Sequence, residues 1–322
     1  MAVYTKISRN NIRFIEREFN IEKIVSFKGI KKGIENTNYL LKTKNKKYIL
    51  TIFGQRVIKK DIPFFMNLME KLNLKKIKCP KPIKNRKGKN FFNIKNKPAA
   101  IVSFVEGKDK NKLNINDCHV IGKNIAKLHT ASNKIKLYRK NSMSSNSWSK
   151  ILNKIGNKCK NIYPSLKELM RTNLKEIKNK WPKKIPKGII HGDLFIDNIF
   201  FKKNKFHGYI DFYFASNDFL MYEIAICINA LCFDKKKTKF IFNKKKSTNL
   251  IKGYSSIRKL STKEKKSLNI LCRGAALRYL LTRTYDYLNT PKSAIIKIKD
   301  PREYIQKLKI HGKLSSFKDY YN

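Results

Sequence analysis

The stretch "HGDLFIDN" at residues 191–198 holds a histidine, two aspartates and an asparagine in a chain that is otherwise rich in lysine, asparagine and isoleucine. Apolar runs on both sides of it predict short strands, and "GYIDFYF" places Asp211 after a predicted hairpin. Because a hairpin brings its two ends together, we expect Asp211 near Asn198. The sequence therefore predicts a local cluster of two carboxylates and an amide around Asp193.

This cluster has the composition that phosphoryl transfer requires. Carboxylate and amide oxygens suit Mg²⁺, which keeps part of its coordination shell for water and phosphate. A separate carboxylate is needed to accept the proton of the attacking hydroxyl. We therefore predict Asp193 as the catalytic base, Asn198 and Asp211 as Mg²⁺ ligands, and His191 as a residue that holds the shape of the loop.

The first third of the chain predicts a small β-rich region. "SRNNIRFIEREF" at residues 8–19 has helical spacing after a Ser cap. Apolar runs broken by glycines and a polar turn predict strands at about 24–30, 37–43 and 47–53. A helix from Asp61 and a further β segment follow, so the order of elements is that of an α+β lobe.

After Gly107 the pattern changes to long helices, which only the segment 188–214 interrupts. The lysine-rich run "DKKKTKFIFNKKKSTN" at 234–249 predicts an exposed loop or a frayed connection without a function. The predicted fold class is thus α+β, with a β-rich first part and a larger, mainly helical second part.

The loop at 191–198 resembles the catalytic loop H-x-D-L-x-x-x-N of protein kinases, which is followed by an Asp-Phe-Gly motif. Gly192 in place of Arg and Tyr213 in place of the final Gly make it more similar to the aminoglycoside phosphotransferase and choline kinase superfamily. Further blocks between residues 2 and 311, among them "FKGIKKGIENTNYLL", "PAAIVSFVEGK" and "RGAALRYLLTRTYDYLNTP", resemble the homoserine kinases of the aminoglycoside phosphotransferase type.

The resemblance implies a two-lobed protein-kinase-like fold, with a nucleotide-binding N-terminal lobe at 1–105 and a catalytic, acceptor-binding C-terminal lobe at 106–322. It implies ATP and Mg²⁺ as cofactors, and phosphorylation of the hydroxyl of L-homoserine to O-phospho-L-homoserine in threonine biosynthesis. The residues by themselves leave open that the phosphate acceptor is another small alcohol, such as choline, methylthioribose or an aminoglycoside. Tyr213, Phe214 and Tyr222 would supply the aromatic pocket that a cationic acceptor favours.

The resemblance also locates the nucleotide. In this superfamily the first hairpin covers the phosphates, and the link between the lobes contacts the adenine. The residues predicted to bind ATP are Gly29, Gly33, Asn36 and Asn38 in the hairpin, Arg56 after the third strand, and the link residues Ser103, Phe104 and Val105. Kinases carry a phosphate-binding Lys on the third strand, but "YILTIF" has Thr51 there. Arg56 is our preferred substitute, with Lys47 as the alternative.

A zwitterionic acceptor needs a cation for its carboxylate and an acid for its ammonium group. Asp218, Glu223, Arg278 and Arg283 are the predicted substrate-binding residues. Arg273, Arg278 and Arg283 point about 140° apart on one helix, so we expect only one or two of them at one pocket. The remaining arginines are expected to pair with acids or to lie at the surface.

The formal charge of +52 suggests nucleic acid or an anionic membrane as a partner. Only 12 of the 74 basic residues are Arg, however, and the lysines are spread along the whole chain. We interpret the charge as a solvated surface without a specific nucleic-acid or membrane partner; a nonenzymatic nucleic-acid binder is the rival interpretation. Six scattered cysteines and the absence of an apolar leader predict a cytoplasmic protein. The oligomeric state is not predicted.

Overall fold

The computed structural model describes residues 5–30, 36–54, 56–290 and 298–322. Contacts between Cα atoms divide them into two compact units. The first unit contains the described residues up to 107 together with 207–213, and the second contains 108–206, 214–290 and 298–322. The predicted α+β class, with an antiparallel sheet in the N-terminal part and helices in the C-terminal part, is confirmed.

The sheet of the first unit has five antiparallel strands in the order β1-β2-β3-β5-β4. Their bounds are β1 Ser26–Gly29, β2 Thr37–Lys42, β3 Lys47–Ile52, β4 Phe92–Ile94 and β5 Lys97–Ser103. Helix α1 (Arg9–Phe19) begins after Ser8, whose side chain accepts from the backbone N–H of Asn11. The buried face of α1 packs with one face of the sheet. Helix α2 (Ile62–Leu74) belongs to the same unit.

The second unit is built mainly from helices. Their bounds are α3 Ile115–Ser132, α4 Ser145–Ile155, α5 Leu166–Lys180, α6 Leu220–Leu231, α7 Lys244–Ser255, α8 Thr262–Asn289 and α9 Arg302–Lys313. Short strands complete the fold: β6 Lys187–Ile190, β7 Ile199–Lys202, β8 Lys205–Tyr209, β9 Ser216–Phe219, β10 Phe233–Lys236 and β11 Lys239–Phe242. The pairs are β6 with β9, β7 with β8 and β10 with β11, so the hairpin predicted before Asp211 is confirmed.

The prediction of a loop or frayed connection at 234–249 is wrong, although residues 235–239 are exposed. Residues 234–249 form the β10–β11 hairpin and the first half of α7. Lys246 is only 6 % exposed, and its ammonium group is paired with a carboxylate oxygen of Asp234 at 2.6 Å. Glycines on α3 and α7, Gly122 and Gly253, face backbone carbonyl groups of the other helix, so the two helices approach too closely for a side chain at either position. The run of lysines in the sequence did not indicate the close contact between α3 and α7.

The six cysteines are all free and buried, as the sequence predicted. No helix in the described ranges combines the length and the apolar character that are needed to cross a membrane.

Candidate active site

The loop at 191–198 follows β6, which pairs with β9 so that Ile190 lies opposite Ser216. Gly192 has φ +79°, and a Cβ atom at this position would lie 2.9 Å from the carbonyl oxygen of Phe214. A side chain here would therefore be strained in its backbone and would also clash. This geometry accounts for glycine at the position where protein kinases carry arginine.

Glu223 on α6 holds the loop through hydrogen bonds to its backbone. This side chain is fully buried, and its carboxylate accepts hydrogen bonds from the backbone N–H groups of His191 and Gly192, the latter at 3.1 Å. The imidazole Nε2 of His129 lies 3.9 Å from the same carboxylate. Since the loop occupies the carboxylate, we reinterpret Glu223, which we predicted to bind substrate, as a residue that positions the loop. His191 is itself fully buried, which fits the predicted role in loop shape.

Asp193 lies among polar groups contributed by α8. The hydroxyl of Tyr279 donates to Asp193 Oδ1 at 3.2 Å, and Arg278 Nη1 donates to the carbonyl oxygen of Gly192 at 2.9 Å. Burial raises the pKa of the Asp193 carboxyl above its ordinary value, and the charge of Arg278 opposes this rise. A carboxylate with a raised pKa is a stronger proton acceptor, which suits a general base.

The orientation of the Asn198 side chain is fixed by a hydrogen bond that its amide nitrogen donates. Nδ2 donates to the carbonyl oxygen of Asp193 at 2.8 Å. This bond turns the amide so that Oδ1, the atom a metal would bind, accepts no hydrogen bond from the part of the chain that the structure describes. The orientation therefore fits a metal-binding amide oxygen.

Asp211 has φ +63°, a conformation that is uncommon for residues other than glycine, although aspartate and asparagine adopt it more readily than most. It belongs to the segment 207–213 of the first unit. Such conformations cluster at ligand-binding sites, where the surrounding structure holds them in place. The sequence motif identified Asp211, but nothing in it indicated this conformation.

Asp218 at the end of β9 is held by two donors. Asn141 Nδ2 lies 2.6 Å from Oδ2, and the backbone N–H of Phe219 lies 2.7 Å from Oδ1. Burial raises the pKa of Asp218, while the bond from Asn141 and the charge of Arg278 lower it. An acid and a cation, Asp218 and Arg278, thus interact within the second unit, together with the fully buried Tyr222.

The three arginines of α8 have three different partners, as their helical spacing predicted. Arg273 forms a two-point contact with Glu176, with one distance of 2.7 Å. Arg283 pairs with Glu303 at 2.6 Å and stacks on the ring of Tyr304. Only Arg278 contacts the loop of Asp193, so we reinterpret Arg283, which we predicted to bind substrate, as part of an internal ion pair.

In the first hairpin, the amides of Asn36 and Asn38 have structural partners. Asn36 Oδ1 accepts from the backbone N–H of Gly54 at 3.0 Å, and Asn38 Oδ1 accepts from the Thr51 hydroxyl at 2.8 Å. Gly29 ends β1 opposite Tyr39. Gly33 lies outside the described residues. The predicted contacts of this hairpin with ATP stay predictions.

The candidates for the missing strand lysine lie at different ends of β3. Lys47 at the start of the strand is 3.6 Å from Glu106, and both side chains are about half exposed. Arg56 lies beyond the other end and is exposed. The position itself, Thr51, is 1 % exposed and carries no charge. Arg56 stays the preferred prediction on position alone.

The link residues after β5 differ in which backbone groups are already bonded. Ser103 N donates to the carbonyl oxygen of Lys81 at 2.8 Å, and Phe104 N donates to that of Lys47 at 3.2 Å. The backbone N–H of Val105 donates to no group in the described ranges. Of the three predicted adenine contacts, Val105 therefore has the amide that is best placed to bind a ligand.

The sequence did not predict two of the side chains that lie at the site. Tyr279 donates to the candidate base, and Asn141 donates to Asp218. Tyr279 directly follows Arg278, but neighbouring residues on a helix point about 100° apart, so helical periodicity did not indicate that both contact the loop. Asn141 lies in the connection between α3 and α4, and no local signal connects it with a residue 77 positions away.

Comparison with known proteins gives a consistent result. The model of the phosphotransferase enzyme family matches residues 26–238. A homoserine kinase from Rhizobium etli (strain CIAT 652) is 40% identical over 320 residues, covering 99% of each chain. A homoserine kinase from Agrobacterium fabrum is 39% identical over 320 residues, covering 99% of this chain and 98% of the relative.

Solved structures show the same fold at low sequence identity. An amicoumacin kinase superposes with a TM-score of 0.73 at 14% identity, covering 97% of this chain and 95% of its own. A choline kinase from Cryptosporidium parvum gives 0.66 at 16% identity, covering 94% of this chain and 95% of its own. The predicted protein-kinase-like fold is confirmed by these likenesses.

Proposed function

The chain belongs to the phosphotransferase enzyme family, and we propose that it transfers the γ-phosphoryl group of ATP to the side-chain hydroxyl of L-homoserine. The observation that carries this proposal is the identity of about 40% to homoserine kinases over nearly the full length of both chains. The products are ADP and O-phospho-L-homoserine, an intermediate of threonine biosynthesis. The chain is thus a kinase with an alcohol group as acceptor.

In the proposed reaction, Asp193 orients the acceptor hydroxyl and takes its proton as the oxygen attacks the γ-phosphorus. The bond between that phosphorus and the β,γ-bridging oxygen breaks, and ADP leaves. Support for this role comes from the raised pKa of Asp193 and from the Tyr279 hydroxyl that fixes one carboxylate oxygen. The proton on Asp193 returns to solvent after phospho-homoserine leaves.

Asn198 and Asp211 would hold the Mg²⁺ ion, which when bound neutralises charge on the phosphates. The assignment of Asn198 is supported by its Oδ1, which accepts no hydrogen bond from the described residues. Asp211 is supported by its place in the motif and by its left-handed backbone conformation. His191 holds the shape of the loop, and the carboxylate of Glu223 accepts hydrogen bonds from the loop backbone.

For the acceptor, we propose that Arg278 binds the carboxylate and Asp218 the ammonium group of L-homoserine. These two groups have opposite charge and interact with each other, and one of them also contacts the loop of the candidate base. The aromatic alternative has less support, because Tyr222 is fully buried and the ring of Tyr213 packs edge-on against Phe53 and Phe65. The six buried thiols support a cytoplasmic location.

The experiment that tests the function is a coupled assay of ADP release with ATP and Mg²⁺ over four acceptors: L-homoserine, choline, methylthioribose and an aminoglycoside. We expect turnover with L-homoserine and at least about 100-fold lower kcat/KM with the others, as expected for a site built around polar groups that a wrong acceptor leaves unpaired. Preference for any other acceptor would refute the assignment. The phosphorylated product is identified by mass spectrometry, so that ATP hydrolysis alone is not counted.

A further inference from the structure

Strand β3 carries Thr51 at the position where protein kinases have a phosphate-binding lysine. Neighbouring side chains of β2 and β3, among them Tyr39, Leu50 and Ile52, pack with α1 on one face of the sheet. Because side chains alternate along a strand, Asn38 and Thr51, which are cross-strand partners, lie on the opposite face. A lysine in place of Thr51 would lie on that face.

A chain of hydrogen bonds runs along this face. The hydroxyl of Tyr213 donates to Thr51 Oγ1 at 3.3 Å, and the Thr51 hydroxyl donates to Asn38 Oδ1 at 2.8 Å. The ring of Tyr213 is fixed by edge-on contacts with Phe53 and Phe65, at centroid distances of 4.9 and 5.8 Å. Each hydroxyl has one proton to donate, so the chain has a defined direction.

The chain ends on an amide whose two functions are separated. Asn38 Oδ1 accepts from Thr51, so Nδ2 with its two N–H groups is not the atom that faces Thr51, and it donates to no group in the described residues. Backbone bonding keeps Asn38 at the edge of the glycine-containing hairpin, because its carbonyl oxygen accepts from the N–H of Ile30 at 2.8 Å. The amide is therefore an oriented, neutral donor beside that hairpin.

We propose that Tyr213, Thr51 and Asn38 form a hydroxyl relay that takes the place of the strand lysine. In this relay Tyr213 and Thr51 are positioning residues, and the Asn38 amide donates to the ATP phosphates. The relay also ties the segment that carries Asp211, two residues before Tyr213, to the first hairpin. This inference rests on the proposed function, since it assumes that the site binds ATP.

A neutral relay differs from a lysine in a way that can be measured. It supplies geometry and two N–H donors, whereas a lysine supplies a full charge that salt screens. The contribution of the relay to nucleotide binding should therefore change little with ionic strength. A charged clamp made by Arg56 would behave in the opposite way, so Arg56→Gln is the competing variant.

The experiment measures Mg²⁺·ADP binding by calorimetry and steady-state kinetics for Thr51→Val and Tyr213→Phe. We expect each variant to bind Mg²⁺·ADP about 5- to 10-fold more weakly, as for the loss of one buried neutral hydrogen bond. The KM for ATP should rise by the same factor, while the KM for L-homoserine stays within twofold. The double variant should be little worse than either single variant, because the relay acts as a unit.

Matched variants separate positioning from general loss of stability. Thr51→Ser keeps the hydroxyl and should bind Mg²⁺·ADP as the wild type does. Tyr39→Phe removes a tyrosine hydroxyl that donates to the carbonyl oxygen of Thr5 at 2.9 Å, on the α1 face of the same sheet. It should lower the melting temperature without changing nucleotide affinity. Asn38→Asp should weaken binding more than any of these, because a carboxylate repels phosphate.

The outcomes for the relay and for the acceptor are distinguishable. If Thr51→Val and Tyr213→Phe bind Mg²⁺·ADP within twofold of the wild type, or if Tyr39→Phe weakens binding equally, the relay is refuted while homoserine turnover stands. A salt-dependent loss that is confined to Arg56→Gln would likewise refute it. If the variants lose affinity but the wild type does not phosphorylate L-homoserine, the relay holds and the acceptor assignment fails.

Discussion

At the scale of single residues, Asp193 combines two properties that oppose each other. Its burial raises the pKa of its carboxyl group, which makes it a better base but makes its ionised form less favourable in the folded protein. Tyr279 and the nearby charge of Arg278 offset part of this cost. The candidate base is therefore a position where activity and stability are expected to conflict.

Asp193→Asn tests that conflict. The amide cannot accept the proton, so we expect kcat to fall by about 10²- to 10⁴-fold, the usual contribution of a general base. Because the folded pKa lies above the unfolded value, ionisation of Asp193 costs stability as pH rises through the unfolded pKa. At neutral pH the variant should thus melt no lower than the wild type. Kinetics and thermal denaturation at pH 7 check both parts.

The pH profile of the wild type supplies the control for this prediction. Activity requires the ionised carboxylate, so kcat/KM should fall as the pH is lowered through the raised pKa of Asp193, at a higher pH than an ordinary aspartate would give. The residual activity of Asp193→Asn should lack this acidic limb. An unchanged limb in the variant would assign the titration to another group.

At the scale of elements, α8 distributes three arginines among three tasks. Arg273 binds Glu176, Arg278 binds the loop at Gly192, and Arg283 binds Glu303. The spacing of five residues predicted that they diverge, because it rotates each by about 140° from the last. Which arginine faces the loop could not be predicted, since that depends on the packing of α8 against a strand end that is distant in sequence.

Arg273→Ala tests the division of labour along α8. Removing the two-point contact with Glu176 should lower the melting temperature by about 1–2 °C, the shift that roughly 1 kcal/mol gives in a chain of this size, while both KM values stay unchanged. Arg171→Ala is the matched control, because its pair with Glu168 is highly exposed and should contribute almost nothing. A large rise in the KM for L-homoserine in Arg273→Ala would place that residue at the acceptor instead.

Elements also show why some of the site was predictable and some was not. The motif at 191–198 and Asp211 follow from local sequence order, and the strands and helices around them follow from hydrophobic periodicity. The bond between Tyr213 and Thr51 joins residues 162 positions apart, and the bonds from the loop to Glu223 span about thirty. Such contacts depend on tertiary packing, and a single sequence carries no pattern that reveals them.

At the scale of the whole molecule, the charge of +52 is the property that most invites a different interpretation. A protein that releases counterions from nucleic acid binds it in a strongly salt-dependent way, whether or not it reads a sequence. The scarcity of arginine argues against specific base contacts, since arginine is the residue best suited to them.

Binding to duplex DNA tests this interpretation. We expect binding at low salt without sequence preference, and a loss of at least about 100-fold in affinity between roughly 50 and 200 mM salt, as for contacts to phosphates alone. Fluorescence anisotropy with two unrelated duplexes is sufficient. Tight binding to one duplex over the other at the higher salt concentration would favour a specific nucleic-acid function.

The contact between α3 and α7 has a consequence for how this chain can change over time. Lysine, asparagine and isoleucine codons are rich in A and T, whereas glycine codons begin with two guanines. Gly122 and Gly253 each face a backbone carbonyl group so closely that no other residue fits. A genome that drifts toward A and T can replace most exposed residues of this protein, but it must keep these guanines. The close approach of α3 and α7 therefore limits how far the codons of this protein can change toward A and T.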